Sequence, residues 1–313
     1  MEATQRDTGT TGLTDLHLIR RPGTDLLPLL LESLDQRWQR YLGEVARCRK
    51  KCSEKSVHDL RVATRRLIAV IDVILTVVPH DPVRNVAREL RKRLKALGPL
   101  RDVQVQLLRV ETMRQLFPVL KPFFTVLLLR EQRLINATSR LLQKMETKTL
   151  GERIAACRKR LSKMLGSPLM HGVVLIAATG VAAAGFTRAV ALLRAVTSDD
   201  VETIHRLRVA FKKFRYLVEV LQAVLPFVTE ERLKMMNAYQ DRMGFIQDNE
   251  VLTAALRRYS RGRSGGGSAG LAPVRQALIL EHKELVETFL QSADELYTFW
   301  DEMSGTLFPP PAA

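Results

Sequence analysis

The sequence is short of cysteines, aromatics and acids, and each shortage excludes something. Of 313 residues only three are cysteine: Cys48, Cys52 and Cys157. Three thiols cannot form the paired framework of a small secreted domain, and the CRKKC stretch has no second pair to complete a zinc site. They read as reduced thiols of a cytosolic protein. Aromatics make up 6% of the chain, which counts against single-strand nucleic-acid binding through base stacking. Acids are outnumbered: 33 Asp and Glu face 49 Lys and Arg, leaving a formal charge of +16. That surplus predicts a polyanionic partner or an anionic surface and is silent about fold.

No secretory signal opens the chain, since its first dozen residues are polar and rich in threonine. That head (1–23) and the tail ending in FPPPAA (304–313) are expected to be disordered. Between Met164 and Thr187 there is no Asp, Glu, Lys or Arg. A membrane-spanning helix needs about 20 apolar residues. This stretch is diluted by Gly, Ala, Ser, Thr, Pro168 and His171 and lacks an aromatic belt. It reads as a closely packed buried helix, and no membrane partner is expected.

Sustained strand-like alternation is also missing, whereas apolar residues recur at helical spacing nearly everywhere. The pattern predicts helices near 25–51, 56–78, 82–97, 102–116, 119–146, 150–165, 169–197, 200–225, 229–243, 248–260 and 272–303. Pro79 and Pro82 separate the second from the third, Pro226 closes a later one, and RSGGGSAGLAP makes a flexible loop before the last. The predicted fold class is all-α.

What the sequence does have is a repeat. SVHDLRVATRRLIAVIDVILTVVP (56–79) aligns with TIHRLRVAFKKFRYLVEVLQAVLP (203–226), sharing His, Leu, Arg, Val, Ala, two later Val and the closing Pro. ALGPLRDVQV (96–105) matches RMGFIQDNEV (242–251) at nearly the same offset. Two matches in the same order predict a duplication: two helical bundles related by a pseudo-twofold axis, residues 24–148 and 149–303.

At 100° per residue, Leu60, Ala63, Leu67, Val70, Ile71 and Ile74 form a core stripe, with His58, Arg61 and Arg65 opposite. In the second copy Leu207, Ala210, Phe214, Leu217, Val218 and Leu221 make the core, and His205, Arg208, Lys212 and Arg215 the other stripe. Arg66 and Lys213 sit at its edge. In the third helix Arg84, Arg88, Arg91 and Lys95 stack away from its apolar line. A solvated face would mix acids among these cations, because like charges four apart destabilise a helix by a few tenths of a kcal/mol. Here acids come only at the ends, as Asp72 and Glu219, although Arg215 and Glu219 are spaced to pair. Stacked cations fit a multivalent anion, and the planar arginine fork suits phosphate oxygens.

The histidines allow several readings. Each ring could simply bond a neighbouring helix, ligate a metal, or carry a phosphoryl group. No Glu or His follows at i+4 to complete a metal site, and no base lies near to activate a nucleophile. Register with the cations favours a part in anion binding, with protonation adding charge. Gly98 and Gly244 read as left-handed helix ends, and Asp102 and Asp248 as caps of the next helix. Arg101 is unexplained by capping and joins the basic face; its counterpart is Gln247.

The two HxLRVA segments and the LGPLRDVQV-type turns resemble the CHAD family, the conserved histidine α-helical domain, over roughly residues 24–303. The resemblance implies two helical bundles around a basic central cavity that binds inorganic polyphosphate without catalysis, and association with polyphosphate granules in the cytoplasm. Carried over position by position, the binding residues fall on His58, Arg61, Arg65, Arg66, His205, Arg208, Lys212, Lys213 and Arg215. Arg84, Arg88, Arg91, Lys95, Arg101, Arg130 and Arg133 are candidate additions. No cofactor or metal is implied, and the length leaves no room for the triphosphate-metabolising domain of some relatives. There are departures: Ile68 stands where the second copy has Arg215, and Glu230, Lys234, Asn237 and Asp241 replace the third-helix stripe. The ligand path is therefore expected to be heavier on the first half. Nucleic acid is expected only as a competing, nonspecific polyanion. An enzyme acting on phosphoanhydrides would want Mg²⁺ and clustered carboxylates, which the basic faces almost lack.

Overall fold

The computed structural model describes residues 25–165, 167–197, 200–225, 227–261 and 269–300. Among them there is no strand, and the helical periodicity becomes ten α-helices: α1 (Leu26–Lys50), α2 (Glu54–Val77), α3 (Asp81–Ala96), α4 (Gly98–Leu116), α5 (Lys121–Lys144), α6 (Lys148–Ser162), α7 (Pro168–Leu193), α8 (Val201–Leu221), α9 (Glu230–Arg261) and α10 (Ala272–Gln291). The expected tail disorder, the closing Pro226 and most of the glycine-rich loop lie outside the described residues.

The two helices bearing the repeated motif begin with side-chain caps. Ser53 Oγ accepts the Ser56 amide at 3.2 Å at the start of α2, and the Asp200 carboxylate accepts the Glu202 amide at 3.1 Å at the start of α8. Each satisfies an amide that the first turn leaves free.

Three expectations need correction. Asp102 and Asp248 cap nothing: the first lies in the second turn of α4, the second inside α9. Gly98 and Gly244 are helical, neither with a positive φ. The segments 229–243 and 248–260 are one helix. Proline explains the difference between the halves. Pro99 has no amide hydrogen to give the carbonyl four residues back, so the chain breaks between α3 and α4. Phe245 in the matching place has one, and α9 runs through.

The buried apolar side chains form two clusters that do not follow the two sequence halves. The larger joins α1, α2, α3, α6, α7 and α8 with the first half of α9, and takes in Leu100 of α4, Leu142 of α5 and the end of α10. The smaller joins α4 and α5 to the second half of α9 and to α10, through Val103, Leu107, Phe123, Leu252, Leu256 and Val274 among others. Both take residues from both halves.

Helix α7, which carries no charged residue before Arg188, is buried on one face only. Val174, Ala178, Ala182, Phe186 and Ala189 are within 1% of full burial, while Leu169, Val173 and Ile176 are 73%, 42% and 54% exposed. It is therefore not the closely packed helix the composition implied. Leu169–Leu193 is long and apolar enough to cross a membrane by length and composition. All three cysteines are free and buried.

Candidate anion-binding site

Four helices close a ring. α2 packs on α8 and on α4, α8 packs on α9, and α4 packs on α9. α2 and α8 turn their apolar faces into the larger cluster, α4 and the end of α9 theirs into the smaller one. The polar faces of all four helices meet at the seam, around a cavity of about 460 Å³.

Its cations come from both copies of the motif. α2 supplies His58, Arg61 and Arg65; α8 supplies His205, Arg208 and Lys212; α4 adds Arg101. Helical spacing of three and four residues puts each set on one face. Residues the sequence reading did not assign to the site complete the wall: Gln106, Gln240 and Gln247, with Asp102, Asp241 and Asp248. The cavity thus holds three carboxylates that the expectation of an almost acid-free face did not foresee. Asp102 and Asp248 carried a usable signal, since each occupies the same place in a repeated motif.

Burial and mutual repulsion act on the basic groups. Removal from water, then Arg65, Arg208, Arg61 and Arg215, push the Lys212 ammonium down to about 6. Arg61 is lowered to about 10, by burial first and then by Arg65. Arg65 is lowered chiefly by burial, against the Tyr216 oxygen, which accepts a hydrogen bond from it and favours its charge. Burial raises the Asp102 and Asp248 carboxyls, although Arg61 opposes the first and Arg208 the second. Both ends of the charge scale are pressed toward neutrality, as desolvation requires.

The two motif arginines are held alike but partnered differently. A Cβ on Gly98 would lie 3.8 Å from Arg61 Nη1, and one on Gly244 would lie 3.9 Å from Arg208 Nε. At each glycine there is room for a methyl group beside the guanidinium. Arg61 Nη1 donates to the Leu94 carbonyl at 2.9 Å, in the last turn of α3. Such carbonyls have no partner within their helix. Because α9 does not break, Arg208 meets no free carbonyl, and its Nε is buried with no hydrogen-bond partner. The wall takes four basic groups from the first half (His58, Arg61, Arg65, Arg101) and three from the second (His205, Arg208, Lys212), while the unsatisfied donor lies on the second-half side.

The histidines also differ. His205 Nδ1 is hydrogen-bonded to Gln247 Oε1 across to α9. His58 is exposed, and burial followed by the Arg101 charge lowers its pKa. It stands between the ring cavity and a groove lined by Arg37, Arg40 and Arg66. Arg101 itself pairs with Glu54.

Other sequence candidates lie off the cavity wall. Arg66 pairs with Glu219 at 2.8 Å. Arg215 is buried behind the wall, where its Nε donates to Gln240 Oε1 at 3.1 Å, its guanidinium lies 4.2 Å from the Tyr216 ring centre, and Glu219 is 3.7 Å away. It positions a wall residue and is not itself on the wall. The α3 stripe does not reach the cavity: Arg84 pairs with Asp81 at 3.7 Å, Arg88 donates to Asn85 at 2.9 Å, Arg91 pairs with Asp72, and Lys95 is exposed. Spacing alone could not see that acids on the same or the next helix neutralise those rungs. Lys213, Arg130 and Arg133 are exposed outside the wall, although the Arg130 charge is felt at Asp102.

The family model of the CHAD domain matches residues 32–257. Among solved structures, the crystal structure of the CHAD domain from the plant Ricinus communis superposes with a TM-score of 0.66 at 17% identity, covering 86% of this chain and 92% of that one. PptA from Streptomyces chartreusis superposes with a TM-score of 0.53 at 14% identity, covering 88% of this chain and 100% of that one. At these identities the likeness concerns the fold. Comparison with curated proteins finds no match.

Proposed function

The chain belongs to the CHAD domain family, and on that premise we propose that it binds inorganic polyphosphate in the cavity ringed by α2, α4, α8 and α9, capturing it electrostatically and performing no reaction on it. Polyphosphate binding is the role known for the family. The observation that carries the reading to this cavity is the convergence of four guanidinium groups, one lysine and two imidazoles from three helices on one hollow. A string of phosphates relieves what that hollow leaves unfavourable. Its oxygens accept from the orphaned Arg208 Nε, and its charge offsets the mutual repulsion of Arg61, Arg65, Arg208 and Lys212. Gln106, Gln240 and Gln247 add neutral donors, while Asp102 and Asp248 balance part of the charge when the cavity is empty of anion. Displaced counterions add an entropic term, by analogy with nucleic acids. A place at polyphosphate granules follows from the same reading.

Retention of the Arg208→Glu, Lys212→Gln double variant on a polyphosphate column tests the site. Loss of retention with an unchanged circular dichroism spectrum is expected, and undiminished retention overturns the assignment. Duplex DNA and RNA, supplied at equal phosphate concentration, should fail to displace the long-chain polymer. Incubation with Mg²⁺ should release no orthophosphate; release would make the protein an enzyme.

A further inference from the structure

A second basic hollow lies away from the ring. At the far end of α2 the chain turns through Val77–His80 into α3 and meets the end of α6 around a cavity of about 650 Å³. Lys159, Arg160, Lys163 and His80 line it together with apolar groups such as Val78 and Met164, and no carboxylate is on its wall. Among the described residues none of these three cations makes an ion pair, whereas Arg158 beside them is held by Asp35 at 2.8 Å. The nearby carboxylate of Asp81 is engaged by Arg84. His80 Nδ1 is buried and lacks a hydrogen-bond partner.

Cations at a helix C-terminus are favoured by the helix dipole, worth about 0.3–1 kcal/mol each, and that accounts for Lys159 and Arg160. It reaches Lys163 too, the C-cap of α6, but leaves unrelieved its repulsion with Lys159 four residues back. Nor does it account for a histidine from another segment facing the same hollow with an unmet ring nitrogen. A phosphate group would satisfy the three cations at once, since each can donate to its oxygens and no carboxylate on the wall competes.

We propose that this hollow is a second phosphate-binding site, and that one long polyphosphate chain occupies it and the ring cavity together. The inference rests on the reading of the ring cavity as a polyphosphate site. Arg61 in the ring and Val77 beside the hollow are both on α2, 16 residues apart, or about 24 Å at 1.5 Å per residue. Tripolyphosphate is too short to bridge that distance, and a chain of a hundred phosphates is not. Joining two modest sites by one flexible ligand makes the second encounter intramolecular and slows release without any new contact.

Calorimetry on the full chain with tripolyphosphate, and dissociation rates with polyphosphate of about a hundred units, test the proposal. The variants are the Lys159→Ala, Arg160→Ala, Lys163→Ala triple, all exposed positions, and the Arg208→Glu, Lys212→Gln double. The wild type should bind two tripolyphosphates and each variant one, with the long chain leaving the triple variant at least tenfold faster. One tripolyphosphate per wild-type chain, unaffected by the triple substitution, overturns the second site. Two sites with an unchanged long-chain rate overturn the bridging. One site that survives the double variant and is lost in the triple supports the hollow and sinks the ring cavity instead.

Discussion

Polyphosphate should bind this protein more tightly as the pH falls, and Lys212 should be the group responsible. Without ligand its ammonium is held down to about 6 by burial and by the arginines around it. At pH 7 it is therefore neutral in roughly nine molecules of ten. Facing it are Arg61, Arg65, Arg208 and Arg215, with Gln240 and Asp241 from α9 and Asp102 and Asp248 across the cavity. A bound anion returns Lys212 toward the ordinary lysine range near 10.4, so binding takes up one proton. Above pH 6 the affinity then falls about tenfold, or about 1.4 kcal/mol, per pH unit. Between pH 6.5 and 8 the loss should be about 25-fold. Burial and the Arg101 charge lower His58, and burial raises the Asp102 and Asp248 carboxyls. Calorimetry in two buffers of different ionisation enthalpy counts the protons directly. Lys212→Arg keeps the charge throughout, so its affinity should be flat from pH 6.5 to 8 and exceed the wild type at pH 8. A wild type that takes up no proton, or a slope that persists in Lys212→Arg, refutes the reasoning.

Other consequences can be read on the same protein. Arg208→Ala should weaken binding by about 1.5–3 kcal/mol, the range of a charge-assisted hydrogen bond, without lowering the urea midpoint, because Arg208 Nε has no partner to lose. Arg61→Ala should lower that midpoint, because it forfeits the bond to Leu94; equal stability effects from the two substitutions would contradict the difference seen at the α3–α4 break. Gly244→Ala should stabilise by up to about 1 kcal/mol through helix propensity, since its Cβ meets Arg208 only at ordinary contact distance, whereas Gly244→Leu should dislodge Arg208 and cost at least tenfold in affinity. Stability of the ligand-free protein should fall as pH drops from about 10 toward 6: the unfolded chain then carries a proton on Lys212 that the folded chain does not, and denaturation in Lys212→Met should lose that dependence.

The fold class was legible because apolar spacing is local, and so was the convergence of His58, Arg61, Arg65, His205, Arg208 and Lys212 on one face each. Where the sequence misled, the cause was a pairing between elements or a backbone detail. The α3 stripe looked self-repelling on a wheel, but Asp72 of α2 and Asp81 at its own start supply the opposite charge. Arg215 sat in register with the motif cations, yet its neighbours Gln240 and Glu219 hold it behind the wall. Gly98 and Gly244 look alike in sequence, and both lie in helical backbone beside an arginine rather than in a left-handed turn. Only the Pro99 and Phe245 difference told that one chain would break there and the other continue.

That difference reaches the site itself. Where α3 ends, its last carbonyls are available, and Arg61 spends one of its donors on Leu94. Where α9 continues, every carbonyl beside Arg208 is already taken by the helix ladder, and a buried guanidinium donor stays unmet. An unmet buried donor costs about 1–3 kcal/mol, a charge against folding that only something entering the cavity can lift. The ring arrangement makes the cost tolerable: α2, α8 and the first half of α9 are anchored by one apolar cluster, most of α4 and the second half of α9 by another, so the seam between them need not contribute to stability. Unfavourable cations are thus concentrated where the surrounding packing can carry them, and binding energy comes from relieving in the complex what the free protein endures.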